Sequence, residues 1–312
     1  MSRTASGWAG RVRRTAFCVA VLLASCHRGE PSAAGSTELA APSEEGTSYP
    51  VRIADDLKRT VVLAAEPRRI VALLPSHTET LFALGVGDRV VGVDDFSDYP
   101  EPVTHLPKLG GLYDARLESL LALEPDLVLI SEASRSIQPL ERAGATVWAG
   151  SASTFDDVFR VIEAIGRLVG RAARARAMTA AIREQIDGVE RAVQRGPAPT
   201  VYFELDSTPY AAGPASAIGG LIARAGGINI VPSELGEFPK LSPEWVIARD
   251  PAVIVGVSRE ELLGRPGWAG LSAIRTHRVY SLSEDERRTI IRPGPRLGAG
   301  LRALAALLHR EP

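Results

Sequence analysis

The chain has 312 residues, 45% hydrophobic and 23% charged, enough to build a core in each of roughly two domains of about 150 residues. Its 36 Lys and Arg against 37 Asp and Glu leave a formal charge of −1, which argues against a nucleic-acid binder held by a general electrostatic field. Past the N-terminus no run is apolar for the ~20 residues a membrane span needs, which excludes a multispan transporter. The two cysteines, Cys18 and Cys26, both lie in the first thirty residues, so neither a disulfide framework nor a thiolate metal site holds the body together.

The first elements read as an address. Arg3, Arg11, Arg13 and Arg14 precede a short apolar run over residues 15–24, too short to span as a stable helix. The run ends in Leu23-Ala24-Ser25-Cys26, the pattern of a lipoprotein signal in which the cysteine thiol is acylated. An ordinary secretory signal with an incidental cysteine is the plainer alternative. Cleavage before Cys26 would remove four arginines and no acid, taking the formal charge from −1 to −5. The expected organisation is a signal peptide over 1–25 and a Ser-, Ala-, Glu-, Gly- and Pro-rich tether over 26–49. An N-terminal α/β lobe over 50–154, a bridging helix over 155–196 and a C-terminal α/β lobe over 197–312 follow.

Residues 51–53 and 60–63 flank a polar turn and predict a hairpin. Strand-like runs at 70–74, 90–93, 127–130 and 146–148 then alternate with helical stretches beginning near Ser76, Arg116 and Ser134, which implies parallel strands with crossover helices. The pattern returns at 200–204, 228–230, 253–255 and 279–282, with a last helix near 296–309. Between the two sets, 155–195 lacks proline and carries apolar residues at helical spacing. The spacing predicts one long helix of about 60 Å bracing two Rossmann-like lobes; two helices broken at a glycine are the alternative, since Gly166, Gly170 and Gly188 interrupt it. An internal repeat supports two related lobes: residues 117–129 align without a gap on 243–255, each copy a short helix, an acidic-Pro corner and a buried strand. Ligands of such sheets bind at the carboxyl ends of the strands, so the cleft between the lobes is the expected site.

No phosphate-binding loop, nucleophile elbow or His-Glu-x-x-His helix occurs. Ser76 and Glu79 fit a capping box on the helix after the first core strand. His77 between them would sit at the cleft mouth, either as an ordinary exposed histidine or as an axial ligand to a metal carried by the bound molecule. His27, His105, His277 and His309 have no ligand-like spacing, and no protein-borne metal or resident cofactor is expected. Aromatics are only 5% of the chain, yet Phe96, Tyr99, Tyr113, Tyr210 and Phe238 each fall near a strand end that opens to the cleft, where a ring stacks on a planar ligand or packs its own loop. Glu118 and Glu244 open the short helices of the two repeats, either for the helix dipole alone or as paired docking groups, one per lobe.

The segments Leu73-Leu74-Pro75-Ser76-His77-Thr78-Glu79, Ser97-Asp98-Tyr99-Pro100, Arg292-Pro293-Gly294-Pro295-Arg296, 83–93 and 120–130 together resemble the helical-backbone substrate-binding proteins of ABC importers, most of all the cobalamin-binding members. The similarity runs from about residue 69 to 308. It implies two α/β lobes, a cobalt corrinoid between them, delivery to a permease and its ATPase, and no catalysis. By that resemblance Phe96, Tyr210 and Phe238 stack on the corrinoid, Arg292 is the cleft arginine, and Glu118 and Glu244 dock on the permease. Two further stacking tryptophans of such receptors fall at Leu112 and Ser131, with Tyr113 able to stand in for one. Haem or a ferric siderophore is the alternative ligand, and a two-lobed enzyme acting on a tetrapyrrole the more remote reading.

Overall fold

A computed structural model describes residues 48–193, 196 and 198–310. The expected signal over 1–25, Cys26 and all of the expected tether but its last two residues lie outside the described residues. β1 (Val51–Ala54) and β2 (Thr60–Leu63) form the expected antiparallel hairpin, with Val51 opposite Leu63 and alternate residues buried.

The N-terminal lobe is a four-stranded parallel sheet of β3 (Ile70–Ala72), β4 (Val90–Val93), β5 (Leu127–Ile130) and β6 (Val147–Ala149), flanked by α1 (Pro75–Ala83), α2 (Leu117–Leu121) and α3 (Ile137–Arg142). Its strand order is β4-β3-β5-β6. Two helices follow, α4 (Asp157–Leu168) and α5 (Ala172–Val193). The C-terminal lobe has β7 (Thr200–Phe203), β8 (Ile228–Asn229), β9 (Val253–Val255) and β10 (Val279–Tyr280). Its helices are α6 (Ala217–Arg224), α7 (Pro243–Arg249), α8 (Arg259–Leu263), α9 (Ser272–Arg275), α10 (Glu284–Ile291) and α11 (Leu297–Leu308). Its order, β8-β7-β9-β10, is the same winding as the first sheet: second, first, third, fourth strand.

The repeat read in the sequence is a structural one. α2 and α7 begin at its first residue, β5 and β9 at its eleventh. At the matched corner both copies place a non-glycine residue in the left-handed region, Glu124 at φ 45° and Asp250 at φ 41°, directly before the prolines that end each helix.

Strands β3, β5, β6 and β9 are buried along their whole length, and the period of two sorts the core residues into separate layers. Ile70, Ala72, Leu127 and Leu129 face inward, in one continuous core with Phe159, Ile162, Ile186, Val201, Val253 and Leu301. Val71, Val128 and Ile130 belong to an outer layer of the first lobe, Tyr202 and Ile254 to one of the second. A core that passes unbroken from lobe to lobe opposes a wide hinge.

The single bridging helix expected over 155–196 is two helices. Gly170 adopts φ +74°, and the Arg171 amide donates to the Gly166 carbonyl at 2.7 Å, the bond that closes a helix with a left-handed residue past its end. α5 then doubles back along α4. Thr179 Oγ1 donates to Glu163 Oε1, the Arg183 guanidinium lies 3.8 Å from the Phe159 ring centroid, and a side chain at Gly166 would come within 2.3 Å of Ala175 Cβ. The second half of α5 leaves α4 and packs on α11, where Arg302 bonds Gln185. The long helical brace is therefore α5, about 33 Å long, with the residues before α4 also touching α6 through Arg224 on Phe155 and Asp156. Helical periodicity continued through 168–172, so only the glycine that takes a positive φ marked the corner.

Candidate functional site

The carboxyl ends of β3, β4 and β6 release loops toward the second lobe, and a cavity of about 560 Å³ lies there. Leu74, Pro75, Phe96 and Ala152 form its first wall; Arg287, Arg288, Ile291 and Arg292, on or just after α10, form the other. This is the strand end at which open parallel sheets hold ligands. A larger groove of about 1220 Å³ between α5 and α11 meets Pro199, Ala252 and Arg278, each just before a strand, and so lies at the opposite end of the sheet.

Phe96 reaches this position because its loop is tied down beneath it. The Phe96 amide donates to Asp94 Oδ1 at 2.8 Å, and Ser97 Oγ donates to the other oxygen of the same carboxylate. Asp94 is 1% exposed, and burial raises its pKa against the lowering effect of these bonds and of Lys108. The Phe96 ring itself remains 68% exposed. It leans on Gly111, where a Cβ would stand 3.3 Å from the ring, so Phe96 adjoins the turn that carries the exposed Tyr113. Leu112 in that turn is half-buried, its carbonyl accepting from Ser134 Oγ, and Ser131 is buried. On the second lobe Tyr210 bridges to Lys240 and the Ala211 amide donates to the Pro239 carbonyl. Tyr210 and Phe238 thus stand on paired loops, both exposed.

The structure therefore unites Phe96 and Arg292 at the cavity. Tyr113, Tyr210 and Phe238 are exposed rings on strand-end loops outside its lining, and Leu112 does not line it either. Tyr99 is already occupied: the Arg296 guanidinium stacks 4.1 Å from its ring centroid.

Two expectations at the first helix need correction. His77 is not at the cleft mouth. It is fully buried, its ring 5.8 Å from that of Trp148, because α1 begins at Pro75 and its next turn faces the core. Burial pushes its pKa down to about 4, and neither ring nitrogen makes a hydrogen bond. The capping box is also absent. Leu74 is the N-cap and makes no side-chain cap bond; Pro75 at the first helical position removes one of the orphan donors, and Ser76 lies inside the helix, one position past where a capping side chain would sit. Glu79 turns instead to the second lobe, where Arg296 Nε and Nη2 donate to its two oxygens at 2.8 Å each.

Arg292 joins the same cluster. Its Nη1 donates to Asp98 Oδ1 at 2.7 Å and lies 3.3 Å from Glu79 Oε1, and its Nη2 donates to the Phe96 carbonyl at 3.0 Å. Arg288 pairs with Asp98 at 2.9 Å. Burial would raise the Asp98 pKa, but Arg292 and Arg288 outweigh it and hold the carboxyl below its ordinary value. Sequence reasoning missed Glu79, Asp98, Arg288 and Arg296 as a group because the acids and bases stand some 190 or more residues apart; the only local signal was two arginines straddling Pro-Gly-Pro.

Glu118 and Glu244 are exposed in the first turns of α2 and α7, and neither makes an ion pair among the described residues. A helix that precedes a parallel strand runs opposite to it, so both glutamates start at the cleft end of their own sheets. No cluster of His, Cys, Asp and Glu suited to a metal ion occurs among the described residues, and no described helix is long and apolar enough to cross a membrane.

The sequence profile of the family described as periplasmic binding protein matches residues 70–286. The chain is 29% identical to the uncharacterized ABC transporter substrate-binding lipoprotein YvrC of Bacillus subtilis, over all of this chain and 99% of that one. It is 32% identical to the cobalamin-binding protein of Halobacterium salinarum, over 86% of this chain and 77% of that protein. Among solved structures, the periplasmic heme-binding protein RhuT from Roseiflexus sp. RS-1 superposes with a TM-score of 0.69 at 30% identity, covering 78% of this chain and 98% of that one. With two lobes of identical winding, a cleft at their strand ends and a match over most of the folded chain, the protein belongs to the periplasmic binding protein family and is the substrate-binding protein of an ABC transporter.

Proposed function

We propose that the protein captures a cobalt corrinoid in the interlobe cleft and hands it to a permease, held at a membrane by acylation of Cys26. The observation that carries the ligand is the make-up of the cavity: an apolar, aromatic wall on one lobe, arginines on the other, and no His, Tyr, Cys or Met in the lining. A haem with open axial positions calls for such a side chain, whereas a corrinoid that keeps both axial ligands needs only stacking faces and edge donors. A corrinoid also exceeds the cavity, so its disc would extend toward the strand-end loops bearing Tyr113, Tyr210 and Phe238. The cobalamin-binding relative from Halobacterium supports the same ligand. Haem remains the second reading, favoured by the arginine row, which suits anionic ring substituents, by the exposed Tyr113 and Tyr210 on the same loops, whose phenols could ligate iron, and by the heme-binding neighbour.

Calorimetry with cyanocobalamin, cobinamide and haemin tests the choice. A corrinoid isotherm is expected, with no change in the visible spectrum on binding. Phe96→Ala should weaken it by roughly five- to more than a hundred-fold, the equivalent of about 1 to 3 kcal/mol of buried ring. Heat with haemin alone would remove the corrinoid and keep the receptor. The anchor is tested separately: Cys26→Ala should move the protein from the membrane to the soluble fraction, and retention in the membrane would assign the attachment to another segment.

A further inference from the structure

We propose that Glu79, Arg292 and Arg296 form a clasp that sets the spacing of the cleft walls, and that Arg292 is a positioning residue for Phe96 and not a contact to the ligand. The inference rests on the interlobe cleft being the ligand site, and it names the groups that give the site its shape.

The clasp lies where the two walls meet. α1 opens with Pro75 and Ser76 of one wall; the segment from Ile291 to Arg296 supplies Ile291, Arg292 and Pro293 of the other. Gly294 lies beside Ser76, where an added Cβ would make ordinary van der Waals contact at 3.4 Å from Ser76 Cβ, so the two segments are direct neighbours. Directly behind this contact the Glu79 side chain, 2% exposed, receives a two-pronged bond from Arg296 across 217 residues of sequence. Such a fork fixes angle as well as distance.

Arg292 turns its two terminal nitrogens into the protein. Both terminal nitrogens are engaged, one by Glu79 and Asp98, the other by the Phe96 carbonyl. The guanidinium thus ties α10 of the second lobe to the backbone of the one aromatic residue in the cavity. Its charge is met by Asp98 and Glu79, which Arg288 and Arg296 share; those two arginines have Glu284 and Asp285 as further partners. Neutralising Glu79 would leave Arg292 and Arg296, both on the second lobe, with one carboxylate fewer opposite them, and the attraction across the seam would fall to the Asp98 pairs.

The test measures the lobes directly. In the full chain with Cys18→Ser and Cys26→Ser, spin labels at Ser119→Cys on α2 and Ala248→Cys on α7 report the distance between lobes without any ligand. The parent should give a narrow distribution. Glu79→Gln should broaden it and speed cyanocobalamin dissociation by about ten-fold, one decade being 1.4 kcal/mol; Asp98→Asn, at the outer edge of the cluster, should do both to a smaller extent. An unchanged distribution in Glu79→Gln overturns the clasp. If that variant does not fold, Arg296→Lys, which keeps the charge and loses the fork, takes its place under the same criterion. Broadening in a protein whose parent binds no corrinoid would keep the clasp and discard the ligand, so the two failures are told apart.

Discussion

Glu118→Ala combined with Glu244→Ala should stop corrinoid uptake in cells while leaving the affinity of the purified protein unchanged. Each carboxylate is exposed in the first turn of a short helix, where an acid contributes about 0.3 to 1 kcal/mol through the helix dipole. Neither anchors anything in the described residues, so the fold should tolerate both losses. Neither lines the cavity, so binding should not notice them. What they share is position: matched residues of the internal repeat, on two sheets of the same winding, at the end that holds the interlobe cavity. One carboxylate per lobe can meet one basic site on each half of a two-fold permease, which sets orientation and encounter rate more than affinity. Either single variant should therefore retain partial transport, and high salt should weaken the wild type toward the single-variant level. Full transport by the double variant, at unchanged expression, would reduce both residues to helix-start acids.

The same repeat explains why so much of the architecture was legible. Parallel strands buried on both faces are short apolar runs, and prolines at matched corners mark where each helix must stop, so strands, lobes and their kinship could be read from residue order. Exposed aromatics on strand-end loops were legible too, because a chain poor in aromatic residues exposes large rings at few places. The turn of α4 into α5 was not, since its apolar spacing runs on through the corner and the deciding fact is a backbone angle at Gly170. The orientation of α1 was not either. Ser76, His77 and Glu79 read locally as a cap with a histidine at the mouth, but Pro75 at the first helical position changes the start, and the helix phase then buries His77 and aims Glu79 at arginines over two hundred residues away. Contacts between lobes are long-range, and spacing along the chain carries no record of them.

His77→Phe should flatten the fall in stability on acidification. In the folded protein the imidazole is enclosed beside Trp148 and stays neutral down to about pH 4, while in the unfolded chain it takes up a proton near its ordinary value of about 6.5. Between these limits unfolding binds a proton, so stability is fully present above the unfolded value and declines as pH falls through the window. At about 1.4 kcal/mol per unit the decline is on the order of 3 kcal/mol, a large share of the stability of a typical domain. Below about pH 4 both states are charged and the loss levels off. Phenylalanine removes this linkage and leaves no unpaired ring nitrogen; any misfit against Trp148 shifts stability equally at every pH. Asp94, whose pKa burial raises, works in the opposite direction but is common to both proteins and drops out of their difference. Urea midpoints measured near pH 7.5 and near pH 4.5 should thus converge in the variant and diverge in the wild type. Equal pH slopes in the two proteins would mean that His77 carries its proton in the folded state, and would return the imidazole to a position reached by solvent.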